Sequence, residues 1–460
     1  GTAATFNRVA EVSDDLLTLT LEALPTVFGV CDGDLPAEAS TETTFSVMEP
    51  KIFNEENSYL YAELSNPNVA SVKLDDSNLT ISHQVRDRTI SATGTLSLNT
   101  NTIGFTSAFF EPFDADRYSI IYSDGTLEPL NSSQIEFADN STTINFSGLA
   151  KSGIGSATVN TTIKRQSVQS KQKDFDRSVQ VIVSSTANSE SAGITGLSSS
   201  FYYGLRVEDR EISLNTPDVV DIVAVYESLG TSTPTLDTLQ FVSGLGLDVN
   251  AIIGERVIGQ TSKAVGQIVT RPSTTDVGFV YLNANKFIVG ETVKFEESLI
   301  ESNLQSIVLG NYLNITDRYD LDAGQREQYY DYSRIVRRKQ SVSPSRKLLI
   351  IFNKYTVPSN DSGDFYTVNS YSSERYKNDI PLLRNNTVRA SDVLDFRPRV
   401  ADFNASTANR SPFAFESRSF GSSSVNTTAV VAPNESTLLG YDHYMGRIDK
   451  IVLDKEGILD

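Results

Sequence analysis

Phe110 to Leu130 reads FEPFDADRYSIIYSDGTLEPL, setting a Ser-Asp-Gly turn between an aromatic, β-branched run and a polar one. This predicts a β-hairpin, because Asp-Gly accepts the positive φ of a tight turn and the flanking residues suit a pleated, half-buried surface. The pattern recurs on both sides, in LLTLTLEAL, SYLYAEL, ATVNTTIKR, SVQVIVSS, IVAVYESL and KLLIIFNKY. Strand-like runs at short intervals with Gly, Asn, Asp and Ser between them predict a mainly β, multidomain chain. Serial β-sandwich or barrel-like domains with a few short helices are expected. The helical candidates are Ser391–Phe396, with Ser391 as N-cap, and Gly324–Val336.

At 460 residues the chain exceeds one ordinary domain. Residues 1–99 read as a first β domain that continues an upstream chain, and 100–173 as a second. Residues 174–244 read as a β segment that pairs with 309–460, a domain with short helices. Within 245–308 the motif Gly-Glu-x-Val occurs at Gly254–Val257 and again at Gly290–Val293. Strands entered through Gly-Glu and left through Gly or Ser predict a small inserted barrel or roll of about five strands. The seam at Lys164, KRQSVQSKQKDFDR, reads as a charged crossover anchored by Val168, Phe175 and Val179, and Ser184–Ser200 as a loop. Neither end carries an initiator Met or a signal sequence, and both read as cut from a longer polypeptide.

A net charge of −19 argues against nucleic acid, which requires a basic surface. No apolar run approaches the length of a membrane span, so no membrane insertion is expected. The single Cys31 cannot form an intrachain disulfide, and two histidines, His83 and His443, are too few for a zinc site. His443, in the aromatic strand-like run GYDHYMGRID, reads as structural, and Cys31 as a small buried apolar residue. No cofactor or metal is expected, and the chain reads as non-enzymatic. A carboxylate pair for glycoside hydrolysis is formally available among 58 acids, but a chain without Trp lacks the strongest aromatic platforms for sugars.

The densest chemistry lies in DRYDLDAGQREQYYDYSRIVRRK, Asp317 to Lys339. Asp317, Asp320, Asp322 and Glu327 are hard oxygen donors, but no register supplies the calcium-loop spacing of an EF-hand. Packing explains the segment better. Tyr329, Tyr330 and Tyr332 bring apolar bodies with polar tips, and Arg326, Arg334, Arg337 and Arg338 can fork onto Asp320, Asp322 or Asp331. This mixture suits a domain junction or subunit contact, as do Asp395, Arg397 and Arg399 in the DVLDFRPRV run.

RYDLDAGQREQYYDYSRIV, PSRKLLIIFNKY, SGDFYTVNSYSSERYKNDIP and DVLDFRPRV, in that order, resemble a domain of structural proteins from contractile-tailed phages, especially T4-like cyanophages. The similarity is specific from about Asn311 to Asp402, continues more loosely through RSPFAFESRSF and YMGRIDKIVL, and extends with varying strength to segments upstream. It implies a virion structural protein of the tail, baseplate or fibre region, without catalytic residues. The implied partners are further copies of the chain, as a trimer or six-fold assembly, and other virion tail proteins. A host-attachment adhesin that binds host surface polysaccharide is the alternative reading, with a glycan depolymerase behind it.

Overall fold

The computed structural model describes residues 59–445 except 167, 185–201, 373–378, 385–386, 421–429, 433–434 and 436–437, together with three strands nearer the start. The chain divides into two units, Gly1–Tyr59 and Leu60–Asp460. In the first, Glu11–Ser13, Leu16–Leu21 and Thr43–Met48 form an antiparallel sheet. Cys31 and nearly all of the Ser184–Ser200 loop lie outside the described residues. The protein is mainly β; among the described residues it is built from several sheets and one closed barrel, with only short helical turns.

The second unit begins with a sandwich. The twenty-residue strand Val69–Arg88 pairs with Ala157–Gln166, which also pairs with Ser119–Tyr122. A smaller sheet of Leu96–Asn99, Thr143–Phe146 and Ile135–Ala138 packs on it through Leu98, Ile144 and Phe146, which share a core with Ile81, Val85, Ile120 and Ile163. Strands on both sides of position 99 thus complete one core. The expected boundary between 1–99 and 100–173 is not kept, because sheet pairing joins segments remote in sequence. The quoted hairpin forms between Ser119–Tyr122 and Leu127–Pro129, with Gly125 at φ +83° and the Asp124 carboxylate accepting from Thr126 N.

The charged seam leads into a second sandwich, with Val168 buried in the first core and Phe175 edge-on to Tyr355. Its larger sheet runs Asp174–Val183, Leu348–Thr356, Val219–Ser228, Tyr312–Asn314, and its smaller one Glu211–Pro217, Tyr332–Arg337, Tyr319–Asp322. Strands from 174–244 therefore pair directly with strands after 309. Leu348–Thr356 is buried on both faces, which explains its unbroken apolar run. Leu348, Ile350 and Phe352 face the sandwich core, while Leu349 and Ile351 pack with Val269 and Val280 of the barrel.

Neither expected helix forms. Gly324 sits at φ +73°, and the aromatic and β-branched residues Tyr332–Arg337 take a strand instead. Around Ser391 a short 3-10 turn, Ala390–Asp392, gives way to the strand Val393–Asp395, and the turn's N-cap is Arg389, not Ser391. Among the described residues no helix is long and apolar enough to cross a membrane.

The barrel is inserted into a hairpin, since Ser228 pairs with Tyr312 across its base and the Tyr226 and Tyr312 rings stack at 3.8 Å. It closes with six strands, because Asp237–Phe241, which precedes the Gly-Glu echo, completes the circuit. The two Gly-Glu segments prove structurally equivalent. Gly254 N donates to Ile268 O and Gly290 N to Leu304 O, both at 2.8 Å; Gln260 N reaches Thr292 O as Glu296 N reaches Arg256 O. Glu255 accepts from Ile252 N and from Ser298 N and Oγ, while Glu291 accepts from Ile288 N and from Ser262 N and Oγ. Each glutamate thus ties its own loop to the turn of the other half, giving the barrel an internal two-fold.

The halves differ where the host touches them. A methyl group on Gly254, at φ +84°, would lie 2.2 Å from Arg177 Cβ, whereas one on Gly290, at φ +91°, meets nothing within 4 Å. Gly290→Ala should cost only the left-handed backbone strain, about 1–2 kcal/mol. Gly254→Ala should cost more and displace Arg177 from Glu297. Denaturant midpoints of the two variants, measured side by side, check the order.

Candidate functional site

Four distant segments converge beside the second sandwich. Lys173 immediately precedes the strand Asp174–Val183, and Asp218 forms the φ +63° corner between Glu211–Pro217 and Val219–Ser228. Gln325 and Tyr330 lie in the loop between Tyr319–Asp322 and Tyr332–Arg337. Asp395 ends the strand Val393–Asp395, and Arg397 follows it. Tyr330 is fixed there by its own backbone, with its N donating to Pro398 O and its O accepting from Val400 N.

Their side chains close a ring of hydrogen bonds. Lys173 Nζ donates to Asp218 Oδ2 at 2.7 Å and to Tyr330 Oη at 3.2 Å. Gln325 Nε2 donates to Asp218 Oδ1 at 2.8 Å, and Arg397 donates to Gln325 Oε1 at 3.0 Å. Arg397 forks onto Asp395 at 2.9 and 2.6 Å, and Tyr330 Oη donates to Asp395 Oδ2 at 2.5 Å. Two cations and two carboxylates are thereby neutralised, all four with fully buried side chains. Tyrosine rings surround the lysine: its ammonium lies 4.5 Å from the Tyr330 centroid, 4.7 Å from Tyr366, 4.9 Å from Tyr371 and 5.6 Å from Tyr355. Such rings attract a desolvated cation through their negative faces.

Burial drives the electrostatics. It raises the Asp395 carboxyl, but the Arg397 guanidinium, with help from Tyr330 and Lys173, outweighs it and holds the group below the ordinary value. Burial lowers the Lys173 ammonium against the opposing pull of Asp218, and raises the Tyr330 hydroxyl well above its usual range.

A second, partly open layer surrounds the ring. Arg418 forks onto Asp331 at 2.8 Å through both nitrogens, and Asp322 receives Arg326 at 2.7 Å and Arg334 at 2.8 Å. Arg338 pairs with Asp320 in solvent. Arg337 does not join these pairs; it donates to Glu208 O and Ser343 Oγ. Tyr332 Oη donates to Ser417 O, Arg399 donates to Tyr355 O, and the Tyr329 ring meets Phe420 edge-on. Tyr330, Tyr332, Asp331, Asp395, Arg397 and Arg399 are all buried within this chain. They therefore act as internal ties of this chain.

The sequence reading missed Lys173, Asp218, Gln325, Tyr355, Tyr366, Tyr371 and Arg418. A lysine beside Phe175 in a crossover and an aspartate after a proline carry no periodic signal. Of the hard oxygen donors, Asp320 and Asp322 are taken by arginines and Glu327 accepts from Tyr61 Oη. Among the described residues no three His, Cys, Asp or Glu side chains are grouped to hold a metal ion. His83 is half-buried, its ring edge-on to Phe105 at 4.7 Å, and burial lowers its pKa. His443 ends the strand Leu438–His443. No family model, curated protein or solved structure matches the chain.

Proposed function

We propose that this chain is a non-catalytic structural component of a tailed-phage virion, a scaffold of the tail, baseplate or fibre region that works through protein-protein interfaces. The observation that carries the reading is how the block resembling phage structural proteins uses its chemistry. Tyr330, Asp331, Asp395, Arg397 and Arg399 are committed to ties within the chain, leaving none of them open to a substrate. Interlocked sandwiches with a barrel braced on a central strand make a stiff bracket, which suits a load-bearing part. Contacts with further copies, in three-fold or six-fold arrangement, and with other tail proteins then fall on surfaces outside the buried ring.

The test is peptide mass spectrometry of purified virions from the phage that encodes the chain, paired with light scattering of the purified protein. Recovery of its peptides in stoichiometric amounts and an oligomer in solution are expected. Absence from virions, with a monomer in solution, overturns the proposal.

A further inference from the structure

We propose that Lys173 and Asp218 form a spontaneous intramolecular isopeptide bond, a self-made cross-link between the crossover and the corner of the second sandwich. The inference rests on the geometry of the pair and is independent of the virion reading. The Lys173 ammonium donates to Asp218 Oδ2 at 2.7 Å, an oxygen bonded to the carbon that the amine would attack, and both side chains are fully buried.

An exposed ammonium and carboxylate do not condense, because water keeps both ionised. Enclosure weakens that preference, since removal from water penalises both charged forms and leaves proton transfer across the 2.7 Å hydrogen bond as the route to the neutral pair. Condensation proceeds from the neutral amine and the carboxylic acid, reached when one proton crosses from Nζ to Oδ2. Burial lowers the pKa of Lys173, in the direction that frees the nucleophile. The remaining groups fit the later steps. Gln325 Nε2 donates to Asp218 Oδ1 at 2.8 Å, where negative charge develops as the amine adds to the carboxyl carbon. Lys173 Nζ, 2.7 Å from Asp218 Oδ2, can pass its surplus amine proton directly to the departing Oδ2 hydroxyl, while Tyr330 Oη, 3.2 Å from Nζ, holds the amine in place. The N–C bond forms, the C–Oδ2 bond breaks, and one water leaves: an ammonium plus a carboxylate yields an amide plus water, with no oxidant or cofactor. The tyrosine rings that face the ammonium also exclude the water that would reverse the reaction. The left-handed backbone at Asp218, φ +63°, shows a residue held in place by its surroundings.

Intact mass measurement of the full chain, denatured after folding, tests the link. The protein should weigh one water less than its sequence, and fragmentation should join Lys173 to Asp218 in one branched peptide. Asp218→Asn should reach the same branched product by losing ammonia instead of water, and Lys173→Arg should keep its full mass. A full-mass wild-type chain with Lys173 and Asp218 in separate linear peptides overturns the proposal, as does a water loss that maps to other residues. Because the decisive reading is made on the wild-type chain, a variant that fails to fold does not remove the test.

Discussion

Asp395→Ala is expected to cost about 3–5 kcal/mol, the range for removing one partner of a buried ion pair. Arg397 would keep Gln325 and the Arg326 carbonyl as acceptors but lose both carboxylate bonds, leaving a fully buried guanidinium without its counter-charge. Tyr330 Oη would lose its acceptor as well. Since the side chains of the loop, the strand end and the crossover meet in this ring, the loss should appear as a lower denaturant midpoint and faster hydrogen exchange across 325–332 and 395–400. Removing both charges together, with Asp395→Leu and Arg397→Met, should cost less than the single change, because the penalty lies in the stranded charge and not in the missing pair. A double change as damaging as Asp395→Ala would show that hydrogen-bond geometry, not charge, dominates.

The same carboxyl sets an acid limit. Its folded pKa lies below the usual aspartate value, so its contribution is fully present above the unfolded pKa, about 4, and is lost as pH falls through the folded value. Asp322, held low by Arg326 and Arg334 against its burial, adds in the same sense. Unfolding followed from pH 6 downward should therefore steepen below about 4 in the wild type and less so in Asp395→Asn.

The second large effect concerns the barrel. Glu255→Ala and Glu291→Ala should each destabilise by about 3 kcal/mol, because each carboxylate accepts several hydrogen bonds and its loss leaves loop N–H groups facing no acceptor. Glu255 is completely buried and Glu291 nearly so, and the bonds correspond one for one across the internal two-fold. Near-equal losses are the expected signature, read by urea unfolding with hydrogen exchange followed over 252–308. A large effect in one half and none in the other would mean that the two-fold is a likeness of backbone only. Glutamine at either site should recover part of the loss, since its carbonyl oxygen still accepts.

Legibility in the sequence followed the range of the interactions. The Ser-Asp-Gly hairpin was readable because its turn chemistry and pairing lie within a dozen residues. The barrel was readable as a repeat, yet its strand count was not, because Asp237–Phe241 joins the circuit only through pairing with Asp276–Tyr281 and Glu301–Val308. The expected helices at Gly324–Val336 and Ser391–Phe396 failed because sheet pairing with Glu211–Pro217 and Tyr61–Glu63 outweighed weak local preferences. Tyr330, Asp395 and Arg397 stood out by their residue types, but their partners Lys173 and Asp218 did not.

By itself the sequence determined that the chain is β-rich, acidic and punctuated by tight turns, since alternation, β-branching and turn residues act over a few neighbours. Only the tertiary structure decided that strands on both sides of residue 99 share a core, that the barrel sits inside a hairpin, and that Lys173 and Asp218 meet in a tyrosine cage. Those outcomes depend on which faces are buried against which, and on which charges must find each other once water is gone.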